Sequence, residues 1–444
     1  MIYTAKYVLP ITSDPIQDGG VLVQEDRITA VGQNLRQSYP DERSHDLGEA
    51  ILLPGLINTH SHLDYTILRG AIDDLPLFPW VRKLTEYAID MPPEAFRWSS
   101  LLGAAELIRS GVTATADATF SGASMDALLE SGMRGVVCQE VFGYRTDDFA
   151  VELEMLQDRA SALASKASSR VRVGVSPHSI YTVSPGLLQA VRDYAYAESL
   201  PLVIHVAESL AEHEFCVRNK GDIARLYRTL GLEWECPGVS PVQYLYDLGM
   251  LGHRTLAAHC VHVNEDDVRL LAVTRTGVAH CPRSNSKLCV GTAPVGIMLQ
   301  AGVRMGLGTD SAVSNNTLDI LGEIRASIVV QRAQHRTGDM IEAKRMVEAA
   351  TVGGADALGM EAEIGSIEPG KKADLTAIDI SGPHCFPDRD PYSLLAYCAS
   401  AGDVAMTIVD GVELYKRPDL RTLNLEEIKS NVTRALAGPP KGDL

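Results

Sequence analysis

No apolar run in this 444-residue chain reaches the roughly 18 residues that a membrane-spanning helix needs. The N-terminus Met1-Ile2-Tyr3-Thr4-Ala5-Lys6 also lacks a basic segment followed by a long apolar stretch, so neither a membrane span nor a secretory leader is expected. No cluster of Lys and Arg stands out, and the formal net charge is −17. Nucleic acid and anionic membrane surfaces would both be repelled. The eight cysteines are scattered without a Cys-x-x-Cys pair. That argues against a thiolate-held metal and fits free thiols in a reducing cytoplasm. Low-complexity tracts are missing as well.

What is present is ordinary for a soluble globular enzyme: 45% hydrophobic and 22% charged residues, in a chain long enough for one elaborated domain or two. Short strand-like pieces, Tyr7-Val8-Leu9, Gly20 to Val23 and Arg27 to Val31, are separated by turn residues near the start. The same texture returns at Gly370 to Asp379 and Val404 to Gly411. Between these ends, eight apolar runs alternate with helical patterns: Leu53 to Asn58, Val112 to Asp117, Gly135 to Val141, Val171 to Ser176, Leu202 to Val206, Leu256 to His259, Gly277 to Cys281 and Met305 to Asp310. Ser184 is the N-cap candidate of one intervening helix. Eight βα repeats with near-continuous apolar strands predict a (β/α)8 TIM-type barrel with a small composite β-sandwich domain built from both chain ends. An open doubly wound sheet is the alternative. The expected division is 1–54 for the N-terminal part of the β domain, 55–362 for the barrel, 363–420 for the C-terminal part, and 421–444 for a terminal helix and a mobile tail. Asn424-Leu425-Glu426-Glu427 opens that helix with a capping-box pattern.

In such a barrel the chemistry sits at the C-terminal ends of the strands. Strand one ends in His60-Ser61-His62, whose i, i+2 spacing presents two imidazoles to one point. Strand four leads into His178, strand five carries His205 with Glu208 one turn on, strand six ends in His259, strand seven carries His280 and strand eight ends in Asp310. Imidazoles with one carboxylate suit Zn²⁺, and also Fe²⁺ or another divalent ion. Such an ion acidifies water into a nucleophile, and Glu208 is placed to carry its protons.

Pro54 to His62, His205-Val206-Ala207-Glu208, Ala258 to His262, Cys281-Pro282-Arg283-Ser284-Asn285 and Leu307-Gly308-Thr309-Asp310-Ser311 together resemble the amidohydrolase superfamily. The nearest branch looks like the one holding methylthioadenosine/S-adenosylhomocysteine deaminases, aminofutalosine deaminases, guanine deaminases and triazine hydrolases. The resemblance spans nearly the whole chain, including Ile367 to Leu375. It implies one divalent metal on His60, His62, His205 and Asp310, because strand four offers Pro177-His178 where two-metal members carry a lysine. It implies Glu208, His259 and Asp310 as catalytic residues: Asp310 deprotonates the water, Glu208 protonates a ring nitrogen, and His259 stabilises the new oxygen. Trp80 and His178 match substrate contacts of the adenosine-type deaminases. Their ribose-binding glutamate has no counterpart at its usual spacing, so Glu86 is the candidate substitute. His62-Leu63-Asp64 resembles aminofutalosine deaminases more closely.

The expected function is therefore a cytoplasmic, metal-dependent hydrolytic deaminase of an adenine-type nucleoside: 6-aminodeoxyfutalosine, 5′-methylthioadenosine, S-adenosylhomocysteine or adenosine. The alternative is a hydrolase of another nitrogen heterocycle, such as a guanine-type base, a triazine or a cyclic amide. The expected partners are the small heterocyclic substrate and further copies of the chain, as a dimer or tetramer. Two features stay open: whether the segment 215–248 covers the site, and whether Gln139, Glu140, Arg283 and Asn285 touch substrate or organise loops.

Overall fold

The structure, a computed structural model, describes residues 1–144, 149–338 and 341–437. The tail expected to be mobile, 438–444, lies outside the described residues. Five strands come first: β1 (Ile2–Val8), β2 (Ile16–Gln24), β3 (Arg27–Gln33), β4 (Ser44–Asp46) and β5 (Ala50–Pro54). The next eight are β6 (Leu56–Ser61), β7 (Val112–Thr119), β8 (Arg134–Val141), β9 (Val171–Pro177), β10 (Leu202–Val206), β11 (Thr255–His259), β12 (Gly277–His280) and β13 (Arg304–Leu307). The last four are β14 (Leu375–Asp379), β15 (Val404–Val409), β16 (Val412–Lys416) and β17 (Asp419–Leu420).

Strands β6 to β13 pair in sequence order, all parallel, and form the barrel. The seam between β13 and β6 is drawn together by polar groups. Asp310 N–H donates to the His60 carbonyl at 2.9 Å, and Asn58 exchanges hydrogen bonds with Thr309 through its Oδ1 (3.0 Å) and Nδ2 (2.8 Å). Alternate side chains fill the interior, among them Ile57, Ala114, Ala116, Val136, Cys138, Val203, Ala258 and Ala279. The opposite faces of the strands pack on the helices. Ser184 caps its helix as expected, accepting from Leu187 N–H.

The other strands form one mixed sheet in the order β17-β16-β15-β14-β5-β1-β2-β3, with β4 beside β1. The two ends of the chain meet where β14 pairs antiparallel with β5, Leu375 opposite Pro54 and Asp379 opposite Ala50. One core, including Tyr3, Val8, Val21, Leu52, Leu375 and Met406, lies within this sheet. The run Leu53 to Asn58, expected as one strand, is therefore two strands in two sheets. Gly55 is the junction: a Cβ there would stand 2.0 Å from Thr113 Oγ1, so only glycine lets the chain cross this close to β7. A buried charge cluster fastens the same end of the barrel, with Arg134 of β8 donating to Asp374 (Nε to Oδ2, 2.8 Å) and to Asp410. The terminal helix Leu425–Ala437 starts with Glu427 N–H donating to Asn424 Oδ1 at 3.2 Å. Among the described residues no helix is long and apolar enough to cross a membrane, and all eight cysteines are free.

Candidate metal centre and active site

His60 and His62 reach the top of the barrel through an irregularity in β6. Ile57 faces the interior core, and strict alternation would send His60, three residues later, to the opposite face. The register resolves this: Asn58 pairs with Thr115 and Ser61 with Asp117, so β6 spends one residue more than β7 over this stretch. That bulge turns both imidazoles toward His205 and Asp310. On β11, Ala258 faces inward, and His259 joins the site because its backbone is left-handed, with φ 73°. Asp310, with φ 57°, is held the same way. Non-glycine residues adopt this conformation at a cost, and such strain collects at functional sites.

The nitrogens are arranged for a cation. His62 Nδ1 lies 2.9 Å from the Ala118 carbonyl, and His205 Nδ1 lies 2.8 Å from the His178 carbonyl. A carbonyl only accepts, so each Nδ1 carries the ring proton and each Nε2 a bare lone pair. Those two Nε2 atoms stand 3.3 Å apart. Burial pushes the imidazoles of His60, His62 and His205 below their ordinary range, which keeps the rings neutral. Two lone pairs facing at that distance repel unless a positive ion lies against both. His60 is fully buried with neither ring nitrogen hydrogen-bonded among the described residues. Its Nε2 and that of His62 are 3.7 and 3.6 Å from Asp310 Oδ1. The other oxygen, Oδ2, accepts from the hydroxyls of Ser284 (2.6 Å) and Ser314 (2.8 Å), which aims Oδ1 at the histidines. Burial acts to raise the Asp310 pKa, but the surrounding imidazole cluster and the Ser284 hydroxyl outweigh it, so the carboxyl stays ionised. Three imidazoles and one ionised carboxylate suit a divalent ion such as zinc.

Glu208 and His259 stand beside this group, Glu208 Oε1 3.9 Å from His259 Nε2. His259 Nδ1 lies 2.9 Å from Asn285 Oδ1, which fixes the ring. Burial raises the Glu208 pKa; nearby His259 lowers it and Asp310 adds to the rise. The turn carrying Glu208 is held by Glu212, which accepts from the backbone N–H of Ala207 and of Glu208, both at 2.9 Å. His178 packs on His205, ring centroids 4.6 Å apart, with its Nδ1 2.9 Å from Thr182 Oγ1.

His280 and Glu86 stand elsewhere. Ala279 faces the interior, so His280 points the other way and shares a small gap with Ser327 and Gln331 of the covering helix. Glu86 is not part of the cluster: it lies on the outer face of the helix Leu77–Ile89, 52% exposed, with its carboxylate on Lys83 at 2.8 Å. Trp80, on the same helix, is buried in the apolar layer, and its indole N–H has no acceptor among the described residues. Asp64 accepts from Thr119 Oγ1, Phe120 N, Ser121 N and Ser121 Oγ, which makes it the anchor of the loop after β7. Gln139 and Arg283 organise loops, through the Phe120 carbonyl (3.0 Å) and Thr317 Oγ1 (2.7 Å). The segment 215–248 has an aromatic core of Phe215, Tyr227 and Trp234. It packs on Phe78 and Tyr181, which follow β6 and β9 at the site end of the barrel. Glu212, Ser314 and Asn58 escaped the sequence analysis. Only Glu212 leaves a local trace, the Ser209-x-x-Glu212 capping pattern.

The sequence matches the profile of the Amidohydrolase family over residues 51–414. The chain belongs to this family. Its relatives include the 5-methylthioadenosine/S-adenosylhomocysteine deaminase of Symbiobacterium thermophilum, 39% identical over 442 residues and 97% of both chains. The protein of the same name from Moorella thermoacetica is 36% identical over 435 residues, again 97% of both. Among solved structures, an adenosine deaminase from Xanthomonas campestris with bound zinc superposes with a TM-score of 0.87 at 28% identity, covering 98% of this chain and 97% of its own. The atrazine chlorohydrolase TrzN of Arthrobacter aurescens, complexed with zinc, shares the fold at a TM-score of 0.86 and 22% identity, covering 98% of this chain and 99% of its own.

Proposed function

We propose that this amidohydrolase is a metal-dependent deaminase that removes the amino group of an adenine-type nucleoside and releases ammonia. One observation carries the chemistry: two bare Nε2 lone pairs face each other beside an ionised carboxylate, with a second, buried carboxyl at Glu208 outside that set. The names of the relatives support methylthioadenosine and S-adenosylhomocysteine as first substrates to try, with adenosine and 6-aminodeoxyfutalosine beside them.

In this reading His60, His62, His205 and Asp310 hold the ion. When bound, zinc would supply a Lewis-acidic centre that acidifies water at neutral pH. Asp310, ionised and fixed by two serine hydroxyls, takes a proton from the attacking water. Glu208, whose raised pKa suits an acid, gives a proton to the ring nitrogen next to the amino-bearing carbon, and that carbon becomes electrophilic. His259 carries its ring proton on Nδ1 toward Asn285 Oδ1, so its Nε2, facing the same space, accepts a hydrogen bond from the incoming oxygen's remaining proton and steadies that oxygen. Collapse of the adduct then needs a proton on the departing amine, for which Asp310 and Glu208 are the available carriers. Buried thiols fit a reducing cytoplasm.

Ammonia release from that nucleoside panel is the test, with Glu208→Gln expected to keep the metal and lose turnover. No ammonia from any member, with metal bound, would overturn the assignment.

A further inference from the structure

Glu140 is a buried acid that the proposed chemistry does not use. It lies near the C-terminal end of β8, where Val136 and Cys138 face the barrel interior, and the alternation carries its carboxyl onto the same inner face. A carboxyl oxygen of Glu140 and one ring nitrogen from each of His178 and His205 lie within 4.8 Å of one another. The side chain is 4% exposed, and its buried Oε1 has no hydrogen-bond partner among the described residues.

Other buried acids have at least one oxygen in hydrogen bonds. Asp64 is filled by four donors, Glu212 by two backbone amides, and Glu323 by Asn315 Nδ2 and Arg283 N–H, while Asp117 leaves Oδ2 unpaired but accepts from Ser61 Oγ and Leu63 N–H at Oδ1. A carboxyl kept purely for structure is satisfied in this way, because leaving a buried polar atom unpaired costs about 1–3 kcal/mol. Glu140 bears that cost at the edge of the site, beside His178. Burial raises its pKa, and Asp64, Asp117 and Asp310 act in the same direction. A neutral carboxyl is a donor as well as an acceptor, and ring nitrogens of a purine are acceptors.

We propose that Glu140 is a substrate-contacting specificity residue that, beside His178, hydrogen-bonds a ring nitrogen of the bound purine. The proposal rests on the nucleoside deaminase reading, and the experiment separates the two. Methylthioadenosine and its 3-deaza and 7-deaza analogues are compared on the wild type, Glu140→Leu and Glu140→Gln, as substrates and by calorimetric binding, with metal content measured for each. Loss of the contact is expected to lower kcat/KM for the parent about tenfold in Glu140→Leu. One deaza analogue should already lack the contact, so the same replacement should leave it unchanged. Glu140→Gln, which keeps a donor and an acceptor, should restore the discrimination. Glu140→Ala replaces the leucine variant if that one does not fold. An equal loss for the parent and both analogues would overturn the proposal. So would loss of a metal ion on replacing Glu140, which would make it a ligand. Wild-type protein that binds these nucleosides without releasing ammonia would refute only the deaminase assignment, and the binding comparison would still test Glu140.

Discussion

Replacing Glu212 tests whether the proton-carrying Glu208 is held in place by a second carboxyl. Glu212 is fully buried, and its two oxygens each accept one backbone N–H, from Ala207 and from Glu208. Ala207 has a left-handed backbone with φ 51°, so the turn does not hold itself. Glu212→Leu leaves two buried amides without acceptors at about 1–3 kcal/mol each. The expected loss of stability is therefore about 2–6 kcal/mol. Glu212→Gln keeps one accepting oxygen and sets its NH₂ against the other amide, so it should fall between leucine and wild type. Positional slack at Glu208 of about 1 Å would lower kcat by about a hundredfold while leaving the metal bound. The assays are urea unfolding and steady-state kinetics on samples of equal metal content. Unchanged unfolding midpoint and kcat in Glu212→Leu would refute the positioning argument.

Removing Arg134 should leave the buried Asp374 without its cation, while Asp410 keeps Arg170 at 3.1 Å, so Arg134→Met is expected to cost about 3–5 kcal/mol, read as a lower Tm, with little change in kcat below the transition. Asn285→Ala frees the His259 ring; kcat should fall at least tenfold with metal content unchanged, and an unaltered kcat would remove Asn285 from the argument. Stability should also depend on pH. Burial pushes Asp117 up to about 7 and Glu212 and Glu323 to about 8. The folded chain therefore retains protons that the unfolded chain loses near pH 4, and these groups make stability fall as pH rises toward 8. Burial pushes His178 and His280 down to about 3, so they oppose that trend only below about pH 6.5, where the unfolded chain takes up their protons. The net expectation is a falling urea midpoint between pH 6.5 and 8, and a rising one would contradict it.

Apolar runs separated by helical patterns made the eight parallel strands legible, because a barrel strand buried on both faces leaves a continuous hydrophobic signature. The family motifs placed His60, His62, His205, Glu208, His259 and Asp310 at strand ends, and the structure brings these six together. Details that depend on backbone geometry were not legible. No residue pattern marks the extra residue in β6 or the left-handed backbone of His259, yet both turn side chains inward. Strict alternation correctly sends His280 away, but finding that requires knowing that Ala279 faces the interior. Gly55 hid a change of sheet inside one apolar run. Glu86 was chosen by proximity to Trp80 in sequence, whereas the helix Leu77–Ile89 turns the two to different faces.

The pairing of β5 with β14 bears on how the chain acquires this site. β5, the strand that leads through Gly55 into β6 and His60, is flanked on one side by residues made only after the whole barrel has been synthesised. Until β14 emerges, β5 presents an unpaired apolar edge, and Leu52 lacks Leu375 and Ala377, with which it shares a core. Contacts this distant in sequence form late and slow folding. His60 and His62 are thus translated early but anchored last, and truncation within β14 or β15 should expose an aggregation-prone edge at the base of the barrel.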